Sequence, residues 1–249
     1  MLTVENLTKS YQVGKNTYEV LKGVSLSVGK GEFVGVMGPS GSGKTTLLNC
    51  ISCYIPADSG SIRLAETELA RLDEDALAEV RNKKLGFVFQ DFMLLDGLCV
   101  RDNIMLPRLI GGQTGASMEE SADRLCDVFG ISAIKGKYPA EISGGEKQRT
   151  AVARALINNP LLILADEPTG NLDSKSSRAV IDTFIQAKAS LEATIFMVTH
   201  DSFAASFCDR VVLLRDGLVW RTLERNGPET RGPFQDELLD AVRALGEAN

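Results

Sequence analysis

The sequence predicts an α/β protein with a parallel-sheet core, an antiparallel β subdomain and an inserted helical subdomain. Three observations carry that expectation. First, the apolar run Phe33-Val34-Gly35-Val36-Met37 leads through Gly38-Pro39-Ser40-Gly41-Ser42-Gly43-Lys44-Thr45 into Thr46-Leu47-Leu48-Asn49, which is a buried strand, a glycine loop and a helix in direct succession. Second, continuous apolar runs at 85–89, 161–165 and 194–199 have the length and character of parallel strands covered on both faces. Third, strand signals give way to helical periodicity between 91 and 158, so a helical segment interrupts the alternation of strand and helix.

Composition bounds the rest. A chain of 249 residues can form one large α/β domain carrying a subdomain, and 44% hydrophobic with 24% charged residues is an ordinary globular balance. A net charge of −6 and a pI of about 5.0 argue against a nucleic-acid partner, whose binding rests on clustered Lys and Arg. No apolar run approaches the roughly 18 residues of a membrane span. The start Met1-Leu2-Thr3-Val4-Glu5 lacks the basic-then-apolar pattern of a signal peptide. A membrane role is therefore expected to come through a partner. Five scattered cysteines suit reduced thiols better than a disulfide framework, and Cys50-x-x-Cys53 reads as buried small hydrophobes.

In order along the chain, Leu2, Val4 and Leu7 alternate with Thr3, Glu5 and Thr8, predicting a half-buried antiparallel strand over 2–10 that Tyr11 closes. Residues 20–28 alternate likewise, and Gly29-Lys30-Gly31 turns the chain into the 33–37 strand. A helix over 43–53 ends before Pro56, Ser61–Leu64 forms a short strand, and Asp73 caps a helix over 73–82. Leu125, Val128 and Phe129 mark a helix over 118–130, after glycine punctuation at 111–115. Beyond the 161–165 strand come a helix over 174–190, the 194–199 strand, a helix over 201–207 and a strand over 210–215. Asp216-Gly217 is a hairpin signal into 218–222. After Pro233, Phe234, Leu238, Val242 and Leu245 share one helical face, expected to dock on its own domain.

The glycine loop fits the phosphate-loop pattern in the context it requires. Glycines let consecutive backbone N–H groups curl around a polyphosphate, and the following helix N-terminus adds partial positive charge. Lys44 can then reach the β- and γ-phosphates, and the Thr45 hydroxyl can ligate Mg²⁺. Asp166-Glu167 follows the 161–165 run at the strand end where α/β sheets bind ligands. There Asp166 can hold Mg²⁺ and Glu167 can polarise an attacking water. His200 and Gln90 end two further strands, so four strand ends bring polar residues to one rim. Ser143-Gly144-Gly145-Glu146 opens a helix running through Ala151 and Ala155 and forms a second anion nest. One nucleotide needs only one such nest, and the excess points to a dimer.

Taken together, these residues resemble the ATP-binding subunits of ABC transporters, which have a P-loop NTPase core, over essentially residues 2–225. The resemblance implies that Tyr11 stacks on adenine, and that the loop from Gly38 through Pro39, Ser40, Gly41, Ser42, Gly43, Lys44 and Thr45 to Thr46 binds the phosphates of ATP. It implies Mg²⁺ ligation by Thr45, Gln90 and Asp166, with Glu167 as the catalytic carboxylate and His200 as a switch histidine. Ser143, Gly144, Gly145 and Glu146, with Asp173 of Asn171-Leu172-Asp173, would contact the nucleotide of a second subunit; Glu146 stands where the family usually has glutamine. The expected organisation is an ATP-binding domain over 1–225, a helical subdomain at about 91–158 and a helical tail over 226–249. Asp166 to Ser174 looks like the branch containing lipoprotein-release and macrolide-export ATPases. Gln90-Asp91-Phe92-Met93-Leu94-Leu95-Asp96 looks more narrowly like the bacitracin-resistance ATPases. That likeness implies a homodimer at the cytoplasmic face of the membrane, an integral membrane permease, and a sensor histidine kinase acting through it. The alternative readings are an ABC ATPase of the lipoprotein-release or macrolide-export type, and a divisome-type ATPase acting on a membrane partner without transport.

Overall fold

The computed structural model describes residues 1–247. In chain order its elements are β1 (Leu2–Val13), β2 (Asn16–Val28), β3 (Phe33–Met37), α1 (Lys44–Ile51), β4 (Ser59–Leu64), β5 (Thr67–Glu68), α2 (Glu74–Lys83) and β6 (Leu85–Phe89). There follow α3 (Val100–Ile110), α4 (Ala116–Val128), α5 (Gly144–Leu156), β7 (Leu162–Asp166), α6 (Ser174–Leu191), β8 (Ile195–Val198), α7 (Ser202–Ala205), β9 (Arg210–Arg215), β10 (Leu218–Glu224) and α8 (Arg231–Glu247). The chain divides into two compact units, one formed by Met1–Leu77 with the residues from Thr194 onward, the other by Ala78–Ala193. The second unit is wider than the helical stretch 91–158, because β6 and β7 pair with each other and α5 packs against β6.

In the first unit β1 lies between β2 and β4, antiparallel to both, with β5 beyond β4. Leu2, Val4 and Leu7 are all buried although Leu7 is out of phase with the other two. Asn6, at φ 49°, absorbs the extra residue in a register shift between Val4 and Leu7. The β1–β2 pair continues to Val13 opposite Asn16, so Tyr11 sits within the strand, across from Tyr18, rather than at its end. Beside this sheet, β3 runs parallel to both β8 and β9, and all five of its residues are buried. Asp216 (φ 49°) and Gly217 (φ 79°) turn β9 into antiparallel β10, the hairpin their dipeptide signals.

The terminal helix α8 packs against α7. Phe234, Leu238, Ala241 and Leu245 are buried, whereas Val242 is exposed, contrary to the sequence-based face. The spacing explains it: positions 234, 238, 241 and 245 stay within a narrow stripe at 100° per residue, and 242 falls at its margin. The Arg231 guanidinium lies 4.7 Å from the Phe207 ring centroid and 5.7 Å from that of Phe203, fixing the start of α8 on α7.

The second unit pairs β6 with β7 in parallel, from Leu85 opposite Leu162 to Phe89 opposite Asp166. Helices α3, α4, α5 and α6 pack among themselves around buried Ile104, Ala122, Ala151 and Val180. The wholly buried Asn103 ties the 95–99 loop to α3: its Oδ1 accepts from Leu95 N at 2.8 Å, and its Nδ2 donates to the carbonyls of Leu95, Leu98 and Cys99. Helix α2 spans the boundary between the units, and Asp73 Oδ1 caps it by accepting from Ala76 N at 2.9 Å, as its sequence suggests.

Candidate functional site

The phosphate-loop pattern sits between β3 and α1 of the first unit. At Gly43, the residue before α1, φ is 100°, and a Cβ there would stand 2.8 Å from Leu21 Cδ2. At Gly38 a Cβ would collide with the Leu214 carbonyl and lie 2.7 Å from Ser42 Oγ. Both positions require glycine, and the result is a backbone cradle with no side chain in the way of a phosphate. Lys44, on the first turn of α1, folds back across the loop, its Nζ donating to the carbonyls of Gly38 at 2.8 Å and Pro39 at 2.9 Å. The Ser42 hydroxyl is buried without a hydrogen-bond partner, while Pro39, Ser40, Gly41 and Thr45 are exposed. An anionic ligand fits this cradle, because it meets backbone donors, an ammonium and a helix N-terminus together.

His200 follows β8, whose Val198 pairs with Val36, so it is at the same strand ends as the phosphate loop. It is exposed, and the next residue, Asp201, caps α7 by accepting from Phe203 N at 2.8 Å. Tyr11 lies in the same unit, with its ring 5.8 Å below Lys9 Nζ. That strand is anchored by Asp58, which accepts from Lys9 Nζ at 2.9 Å and from Ser10 N at 2.6 Å. Asp58 therefore titrates below the ordinary carboxylate range, first through the Lys9 hydrogen bond and then through the Ser10 amide.

The remaining predicted residues belong to the second unit. Asp166 ends β7 opposite Phe89, so Gln90, Asp166 and Glu167 gather where these parallel strands end. Glu167 has φ 46°, a left-handed conformation that costs a residue with a side chain roughly 1–3 kcal/mol. Gln90 Nε2 donates to Asn171 Oδ1 at 3.0 Å, leaving the amide oxygen as the end able to face a cation. Within this unit Asp166 and Gln90 offer hard oxygen donors, the kind that suits magnesium.

Ser143 caps α5 in a closed box. Its Oγ accepts from Glu146 N at 3.3 Å, and Glu146 Oε2 accepts from Ser143 N at 2.8 Å and from Ser143 Oγ at 2.7 Å. The amide of Ser143 holds the Glu146 carboxyl below its ordinary value, so glutamate serves the box as a full anion. A Cβ on Gly144 would meet Leu172 Cδ2 at 3.0 Å, and one on Gly145 would meet Ser176 Cβ at 3.4 Å, so both glycines lie against the 172–176 segment. Asp173 caps α6, accepting from the amides of Lys175 and Ser176 at 2.9 Å each.

Sequence reasoning passed over the side chains that hold this region. Asn171 Nδ2 donates to Asp91 Oδ1 at 2.8 Å, Gln148 Nε2 donates to Phe89 O at 3.1 Å, and Arg154 donates to the carbonyls of Phe92 and Met93. Phe92 and Met93 have φ of 59° and 50°. Bonds that join residues 59 or more positions apart leave no local periodicity to read. Cys53 was expected to be buried but is half-exposed, because it lies past the end of α1 at φ 61°.

A family model described as ABC transporter matches residues 21–170. The chain is 46% identical over 246 residues to the bacitracin export ATP-binding protein BceA of Halalkalibacterium halodurans, covering 99% of this chain and 97% of that one. It is 44% identical over 223 residues to the macrolide export ATP-binding/permease protein MacB of Chlorobaculum tepidum, which is 88% of this chain but 33% of that protein. Among solved structures, the dimeric post-hydrolysis state of the ATP-binding cassette MJ0796 with ADP and Pi matches at a TM-score of 0.81 and 38% identity. That match covers 91% of this chain and all of the other.

Proposed function

This chain belongs to the ABC transporter family and is one of its ATPases, and we propose that two copies close around two ATP molecules to drive an integral membrane permease. The observation that carries the reading is the presence, in one chain, of a glycine cradle crossed by Lys44 and a second glycine-opened helix end at Ser143-Gly144-Gly145. The phosphate loop of one copy and the Ser143 segment of the other would then share each nucleotide, with Asp173 and Glu146 also facing the partner. Tyr11 stacks on the adenine in this reading.

Catalysis is phosphoryl transfer to water, achieved by positioning and charge stabilisation. The loop amides and Lys44 hold the phosphates, Glu167 orients and polarises the attacking water, and His200 contacts the γ-phosphate end. Thr45, Asp166 and Gln90 would hold a magnesium ion, which would supply neutralisation of the charge that develops on the phosphate oxygens. No helix among the described residues is long and apolar enough to cross a membrane. In this reading the chain sits at the cytoplasmic face through its permease, with a sensor histidine kinase as a further partner through that permease.

The transported or displaced molecule is, in this reading, a bacitracin-like antimicrobial peptide. Support comes from the similarity to a bacitracin export protein along nearly the full length of both chains. The test is to express the chain together with its permease in a bacitracin-sensitive host. Resistance should rise with the wild-type chain and not with Glu167→Gln. Equal resistance with both chains overturns the peptide reading. A macrolide in the same assay tests the alternative raised by the macrolide-export relative.

A further inference from the structure

Within the first unit, the face of β1 and β4 and the end of α1 enclose a cavity of about 370 Å³ that the ATP reading does not use. Leu7, Ile62 and Leu69 form apolar walls, each 6% exposed or less, and Cys50 and Cys53 line the side nearest α1. We propose that this cavity is a binding site for a small, uncharged aromatic molecule, and that filling it changes the chain's affinity for ATP.

The walls select the class of ligand. The volume falls in the range of small-molecule sites, about 300–1,000 Å³. Polarisable sulfurs and the ring of Tyr54, which also lines the cavity, favour contact with an aromatic face. Burial pushes the Cys50 thiol up to about 11, so at neutral pH it is an uncharged wall rather than a nucleophile. Asp58 and Glu74 are the ionisable carboxylates of the lining, and no Lys or Arg lines it. An anion would meet like charge there, and the neighbouring Lys9 is already committed to Asp58 at 2.9 Å, so nucleotides and acidic lipids are disfavoured.

Two connections lead from this cavity to the residues assigned to ATP. Helix α1 carries Lys44 at its start and Cys50 near its end, eight residues or about 12 Å in all. On the opposite side, the 56–60 wall is stitched to β1: Asp58 N donates to Thr8 O at 3.0 Å, and the Asp58 carboxylate accepts from Lys9 and Ser10, beside Tyr11. A molecule that shifts either wall shifts Lys44 or Tyr11 with it. The coupling half of the proposal rests on the reading of those two residues as ATP contacts; the binding half does not.

The probe is N-phenyl-1-naphthylamine, an uncharged arylamine whose fluorescence rises in apolar surroundings, titrated into the full chain. Saturable binding at one site per chain is expected, lost in Ala57→Trp, whose indole grows into the cavity from a half-buried wall position. Ala70→Trp repeats the test from an exposed lining position should the first variant misfold. Bound probe should also slow alkylation of half-exposed Cys53 by iodoacetamide. ATP affinity, by calorimetry, should change about fivefold or more at saturating probe in the wild type and not in the Trp variants. Absence of saturable binding, or binding unchanged in both variants, overturns the site. Trp-sensitive binding with ATP affinity unchanged overturns the coupling. If the probe-free wild type fails to bind ATP, it is the ATP reading that falls, and the probe titration still decides the site.

Discussion

Glu167 is held in the left-handed region one residue past the end of β7. Such strain persists where surrounding structure over-determines it, here the Gly170 N to Glu167 O turn at 3.0 Å and the loop that follows. Glu167→Gln preserves shape and backbone while removing the charge that, in the proposed mechanism, polarises water. It should keep ATP binding, lower turnover by about 10²–10⁴-fold, and accumulate an ATP-bound dimer visible by size-exclusion chromatography. Turnover at the wild-type rate would reassign the catalytic carboxylate. Tyr11→Ala, on an exposed stretch of β1 where little folding energy is at stake, should weaken ATP binding by about 1–3 kcal/mol. Unchanged affinity in a calorimetric titration refutes the stacking role.

Among elements, α5 can be tested through its cap. The Glu146 carboxyl is depressed by the Ser143 amide, so its contribution to stability is present above the ordinary carboxyl range near about 4.3 and is lost as pH falls through the depressed value. Glu146→Gln keeps an acceptor but cannot titrate. Urea denaturation should therefore show the wild type losing more stability than the variant as pH is lowered from neutral to well below about 4.3; identical pH profiles would separate Glu146 from the acid response. Arg154→Lys removes the fork that spans two carbonyls, and amide exchange around residues 90–95 should quicken while the rest of α5 stays protected. Such elements differ in how plainly the sequence announces them. β3, β6, β7 and β8 were legible because burial on both faces leaves only apolar residues, and the caps Asp73 and Ser143 because their partners are three residues away. The arm of β1 and β2 beyond Tyr11 was not, since residues 11–19 are exposed on both faces and show no alternation. The bulge at Asn6 was hidden for a related reason: only the buried state of Leu7 reveals that the phase must slip.

At the scale of the whole molecule the proposed composite site makes the sharpest demand. Lys44→Ala and Gly144→Asp should each abolish ATP occlusion alone, yet mixing them should restore it, since one of the two shared sites in a mixed dimer receives an intact Lys44 and an intact Gly144. The Gly144 substitution is compatible with folding, because its nearest neighbour is the flexible tip of Leu172. A mixture that occludes nothing would mean that both motifs serve the same nucleotide in one chain. Motif order in the sequence could suggest such a site, but it could not supply the bonds between distant side chains that hold each motif in place. Asn171 shows what those bonds entail. Its side chain accepts from Gln90 with one end and donates to Asp91 with the other, so it works like a keyed plug that seats one way round. Turned over, it would set two donors against each other on one side and two acceptors on the other. Gln90 and the loop after β7 are therefore joined or parted as a pair, with no half-seated position between. Asn171→Asp, nearly identical in outline, would seat in neither direction.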